Sequence, residues 1–205
     1  MENEKTFTEN DSLAVISKMI KTAQQNFKDD SFYYIFWGWM VFIAAVTNYV
    51  LLITETNNPT LPWAILMPLG GIISGIYSYK HERNQKVTTY TEEIMKYVII
   101  AFLASLLTVL VMMPKLGVAT YPMVLLIYAI WLFVSGGAMK FMPLVVGGII
   151  NWVAAVVCFY VNYELQLLII SLAVLTGYII PGHMLKARYQ KHANGQIKFQ
   201  SDDYV

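Results

Sequence analysis

Residues 61–83 read LPWAILMPLGGIISGIYSYKHER, an apolar run from Leu61 to Tyr79 that closes on Lys80, Glu82 and Arg83. A helix needs about 20 predominantly apolar residues to cross the hydrocarbon core of a bilayer. This stretch provides them with no charge before Lys80, and then meets a basic loop. The same reading extended along the chain yields five further runs, 32–54, 97–113, 121–139, 143–161 and 165–184, none containing Asp, Glu, Lys or Arg. Six spans are therefore expected, and the charges between them fix their direction. Lys5, Lys18, Lys21 and Lys28 precede the first span; Lys80, Arg83, Lys86 and Lys96 follow the second; Lys140 follows the fourth; Lys186, Arg188, Lys191 and Lys198 follow the sixth. Thirteen of the 14 Lys and Arg residues thus fall on one side, and only Lys115 on the other. Basic residues collect in cytoplasmic loops, so both ends are expected in the cytoplasm, with Glu55, Lys115 and Glu164 on the opposite face.

The expected class is an all-α polytopic membrane bundle: six helices in three in–out–in hairpins, preceded by a short cytoplasmic amphipathic helix. Composition agrees. The 205 residues are 57% hydrophobic and 13% charged, about half the charge of a soluble domain. A formal net charge of +1 argues against a nucleic-acid surface. Cys158 is the only cysteine, so no intrachain disulfide forms. Residues 1–31 show no secretory signal, which leaves the first span as the insertion signal. Phe32, Tyr33, Tyr34, Phe36, Trp37 and Trp39 crowd its inner end, where amphipathic rings sit at headgroup level.

Three divisions follow: 1–31 cytoplasmic, 32–184 membrane-spanning, 185–205 a basic cytoplasmic tail. In the first, Leu13, Ile16, Ile20, Ala23 and Phe27 recur at helical spacing, with Asn10 or Asp11 able to cap the start. This face is expected to lie on the membrane surface, or to dock a cytoplasmic protein partner through Leu13, Ile16, Ile20 and Phe27. The tail is expected to extend the sixth helix to about Asn194 and Gly195.

A weak internal repeat is present. GWMVFIAAV (38–46) parallels GIINWVAAV (148–156), offset by 148 minus 38, or 110. GGIISG (70–75) parallels GYIIPG (177–182), offset by 177 minus 70, or 107. Parallel repeats of this kind occur in transporters.

Few residues carry chemistry. Pro68, Gly71, Ser74 and Gly75 make the second span irregular, and Pro181 and Gly182 disturb the inner end of the sixth. Gly71 and Gly75 form a small-xxx-small pair that lets another helix approach. Asn151, mid-span, needs a hydrogen-bond partner in lipid. These seven residues are candidates for helix packing, or for a solute pathway between broken helices. The spans hold no carboxylate or internal histidine, so a proton relay lacks its usual parts. His81, His183 and His192 fit no metal-ligand spacing. No cofactor is expected. An enzymatic site would require His81, Glu82, Glu92 and His183 to converge.

The segments FYYIFWGW (32–39), MPLGGIISGIYS (67–78), GGAMKF (136–141), PLVVGGII (143–150) and YIIPGH (178–183) together resemble small, uncharacterised multi-pass bacterial membrane proteins. The resemblance implies an inner-membrane location and carries no site residues. The expected function is a non-enzymatic membrane scaffold or regulatory component, self-associating through its glycine faces. The alternative is a small transporter or channel for an uncharged or amphipathic solute.

Overall fold

The computed structural model describes residues 30–82 and 90–202, with side-chain surroundings for 31–80 and 93–191. The amphipathic face at 13–27 and the loop with Arg83 and Lys86 lie outside the described residues. Every regular element among the described residues is helical, and there is no strand. Its elements are α1 (Asp30–Ile53), α2 (Leu61–Glu82), α3 (Tyr90–Val111), a short α4 (Met113–Leu116), α5 (Thr120–Ala138), α6 (Met142–Cys158), α7 (Tyr163–Val174) and α8 (Ile180–Asp202). A 3-10 turn, Gly117–Ala119, joins α4 to α5, and a π segment, Leu175–Ile179, joins α7 to α8.

Five segments are long and apolar enough to cross a membrane: Ser31–Ile53, Leu61–Lys80, Glu93–Val111, Met113–Ala138 and Tyr163–Lys191. The sixth, α6, is a shorter apolar helix of 17 residues, at the lower end of the spanning range. The helices coincide with the six apolar runs but differ from them in extent at several ends. The third begins at Tyr90, seven residues before the apolar run, and the last continues to Asp202, beyond Asn194 and Gly195.

The core lies among α1, α5, α6 and the α7–π–α8 rod. On α1, Ser31, Tyr34, Gly38, Val41, Ala45 and Asn48 are buried at alternating spacings of three and four, so one stripe faces inward. Leu144, Gly147, Gly148, Asn151, Ala155 and Cys158 make the corresponding stripe on α6. Successive helices pack as pairs, α1 with α2, α3 with α5, and α6 with α7. The pairs meet where α1 lies along α7, π and α8, and where α5 lies along α6. Order around the bundle is therefore α2, α1, α7–α8, α6, α5, α3. Helix α2 leans chiefly on α1 and α3 on α5, and among the described residues these two outer helices share no packed face. None of the described α3 side chains is buried.

Two helices end in the same way. After α1, the Thr56 N–H donates to the Leu51 carbonyl (3.1 Å) and Glu55 N–H to Leu52 (3.2 Å), with Glu55 at φ 51°. After α5, Phe141 N–H donates to Gly136 (2.9 Å) and Lys140 N–H to Gly137 (3.1 Å), with Lys140 at φ 50°. This is the Schellman pattern, in which a left-handed residue lets the turn satisfy the last carbonyls. Charged residues occupy a conformation that usually selects glycine.

Candidate functional site

The most unusual local structure lies where α6 meets the π segment. An added Cβ on Gly147 would sit 2.8 Å from Gly177 Cα and 2.9 Å from its carbonyl oxygen. Two backbones therefore touch, which only glycine on both sides permits. Beside this contact Asn151 is fully buried. Its Nδ2 donates to the Gly147 carbonyl at 2.8 Å and to the Ala173 carbonyl at 3.3 Å. The Thr176 hydroxyl also donates to Ala173, at 3.2 Å. Side-chain donors thus claim a carbonyl of the helical ladder just where the ladder widens from α to π. Insertion of this kind is a recognised cause of helix irregularity. Asn151 Oδ1 and the Tyr178 hydroxyl are buried there without a hydrogen-bond partner.

Tyr178 extends the site toward α1 and α5. Its ring lies 5.4 Å from that of Tyr128 and 6.2 Å from that of Tyr34, centroid to centroid. Phe102 of α3 reaches the same group, 6.0 Å from Tyr128 and 5.1 Å from Trp131. Three aliphatic hydroxyls elsewhere in the apolar helices turn back on their own helices. Ser135 donates to Trp131 (2.6 Å), Ser171 to Leu167 (2.7 Å) and Thr108 to Ala104 (2.8 Å). Such i−4 bonds satisfy a hydroxyl without a second helix.

The seven sequence candidates are not brought together. Asn151 sits in the core. Pro181 and Gly182 are buried against α1, where a Cβ on Gly182 would meet the Ile35 backbone nitrogen at 3.2 Å. Pro68, Gly71 and Gly75 are exposed on α2, and an added Cβ at either glycine meets nothing within 4 Å. The Ser74 hydroxyl is buried without a hydrogen-bond partner. The glycine that admits α1 is Gly70, where an added Cβ would meet the Met40 and Trp37 side chains at 3.2 and 3.3 Å.

Sequence reading passed over a second polar cluster at the opposite end of the bundle. Asn48 Nδ2 donates to the Pro59 carbonyl. The Tyr121 hydroxyl donates to Asn48 Oδ1 at 3.4 Å and lies 3.2 Å from the Tyr163 hydroxyl. Trp63 packs on Tyr121 at 5.9 Å. Nearby, Gln166 Nε2 donates to the Cys158 carbonyl at 2.8 Å and so satisfies the open end of α6. The sequence signals for this cluster are Asn48, one of the few polar residues inside the apolar runs, and the aromatic residues Trp63, Tyr121 and Tyr163, each within the first turns of a helix.

At the other end, Arg188 of α8 donates to the Lys140 carbonyl at 3.4 Å and lies 5.8 Å from the Phe141 ring centroid. The described residues contain no group of three or more His, Cys, Asp or Glu able to hold a metal. His183 is exposed; the side chains of His81, Glu82 and Glu92 lie outside the described set. No protein-family profile, curated protein or solved structure matches the chain.

Proposed function

We propose that this protein is a non-enzymatic scaffold or regulatory component of a bacterial inner membrane, crossing it six times with both termini in the cytoplasm. Contacts at the helix ends support the serpentine. Phe32, at the start of α1, stacks on Tyr77, near the end of α2 (4.1 Å). Arg188 reaches Lys140, which follows α5. At the opposite end Asn48, Trp63, Tyr121 and Tyr163 meet. Basic residues gather at the first of these ends, as the positive-inside rule requires of the cytoplasmic side.

The observation that carries the scaffold reading is the sealed position of Asn151. A solute pathway needs its polar groups in one water-accessible channel, yet Asn151 has no exposed surface and Gly71 and Gly75 face away from it. The π segment favours the transporter reading, because single π turns inside α-helices are frequent at functional sites. The proposed partner is a cytoplasmic protein, docked on Leu13, Ile16, Ile20 and Phe27.

Single cysteines at Gly71, Ser74 and Asn151, in a Cys158→Ala background, test the reading with a membrane-impermeant thiol reagent. The scaffold reading expects Asn151→Cys to stay unlabelled while a control at Glu55→Cys reacts. Ready labelling at all three positions would replace it with the transporter.

A further inference from the structure

The sequence repeat has a counterpart in packing. Shifting Trp37 by 110 gives Gly147, and shifting Gly70 by 107 gives Gly177. Trp37 with Gly70 and Gly147 with Gly177 are both close pairs inside a helical hairpin. The contacts between hairpins correspond too. A Cβ on Gly38 would meet Tyr178 Cβ at 3.1 Å and Ile179 N at 3.4 Å; one on Gly148, 110 residues later, would meet Ala129 O and Phe133 N, both at 2.9 Å. In each case the first helix of a hairpin uses one residue for its mate and the next residue for the preceding hairpin. The bundle therefore contains two equivalent seams, α1 on the α7–α8 rod and α6 on α5.

A third seam, α3 on α2, would complete the set, and it is open. Shifting Tyr178, Ile179 and Gly182 back by 107 gives Gly71, Ile72 and Gly75. Gly182 is pressed against Ile35, whereas Gly75 and Gly71 have nothing within 4 Å; Ile72 is 60% exposed. On α3, Phe102 faces its mate α5, so the next residue, Leu103, and Ile99 one turn earlier occupy the seam face. Both are exposed.

We propose that a second copy of this chain closes the open seam, with α2 of one copy on α3 of the other, twice about an axis along the membrane normal. Both halves of the missing contact are present on every copy, so a two-fold arrangement satisfies both at once. Within one chain, α3 is held on α5 by Phe102 between Tyr128 and Trp131, away from α2. Lipid is as apolar as these faces and adds no hydrophobic drive, so association must come from close packing. The closed seams achieve that by setting glycine against a neighbouring backbone, and α2 offers the same surface. This proposal stands independently of the scaffold reading.

The test uses two differently tagged full-length copies, both Cys158→Ala, coexpressed in membranes. One carries Gly71→Cys, the other Ile99→Cys or Leu103→Cys, with Ile72→Cys as a second α2 probe already exposed in the fold. Oxidation is expected to give a product with both tags, several-fold more abundant than with Val153→Cys, an exposed α6 position. No mixed product from any pair, or as much with Val153→Cys, overturns the proposal. So does a double variant, Gly71→Cys with Ile99→Cys on one copy, that joins only within its own chain.

Discussion

Gly147→Ala is the substitution whose cost the structure sets most sharply. The new Cβ would meet Gly177 Cα at 2.8 Å and its carbonyl oxygen at 2.9 Å. Ordinary contact begins at 3.4 Å, so the shortfall is 3.4 minus 2.8, about 0.6 Å. Both obstacles are backbone, and no rotamer change relieves them. The α6 helix and the π segment must separate. That movement stretches the hydrogen bond from Asn151 to Ala173, already 3.3 Å, out of range. Overpacking of this sort costs about 1–3 kcal/mol, and loss of an interhelical hydrogen bond in a membrane protein adds about 0.6 kcal/mol. A destabilisation of roughly 1.5–3.5 kcal/mol is expected, read by SDS titration in mixed micelles with helicity as the signal. Gly137→Ala is the control, because an added Cβ there meets nothing within 4 Å; it should stay within about 0.5 kcal/mol of the parent. If Gly147→Ala unfolds at the parent's midpoint, the two backbones do not touch and the account of the π segment fails.

Two other substitutions probe separate features. Asn48→Ala strands the Pro59 carbonyl and removes one of the two partners of the Tyr121 hydroxyl, and should cost about 1–3 kcal/mol and more than Tyr121→Phe, which deletes the long bonds to Asn48 and Tyr163 at about 0.6 kcal/mol each; equal costs in the same titration would remove Asn48 as the hub. Glu55→Gly relieves a left-handed residue worth about 1–2 kcal/mol, partly offset by glycine's freedom in the unfolded chain. A net gain of about 0.5–1 kcal/mol is expected, with Glu55→Ala unchanged, and a loss on Glu55→Gly would contradict the turn.

The positions of the helices were legible because lipid-compatible segments need uninterrupted apolar runs, which stand out against loops such as the one around Lys140. Their ends were less so. The 143–161 run stays apolar past Cys158, yet α6 stops there because Gln166, from the next helix, takes the Cys158 carbonyl. Orientation of each helix about its axis was hidden for a related reason. Apolar residues encircle α2, so nothing in the pattern distinguishes Gly70 from Gly71, although they face about 100° apart. Gly70 admits α1, and the small-xxx-small pair points outward. The π segment LTGYI carries no periodic signal at all. It depends on Asn151 and Gly147, which precede its first residue by 175 minus 151, or 24, and 175 minus 147, or 28, residues.

The six-span path is tested most directly by truncations fused to a reporter active only outside the cytoplasm. Fusions after Glu55, Lys115 and Glu164 should be active, and fusions after Arg83, Lys140 and the C-terminus silent. Activity after Arg83 or Lys140, or silence after any of the first three, would contradict the path and the arrangement of hairpins built on it.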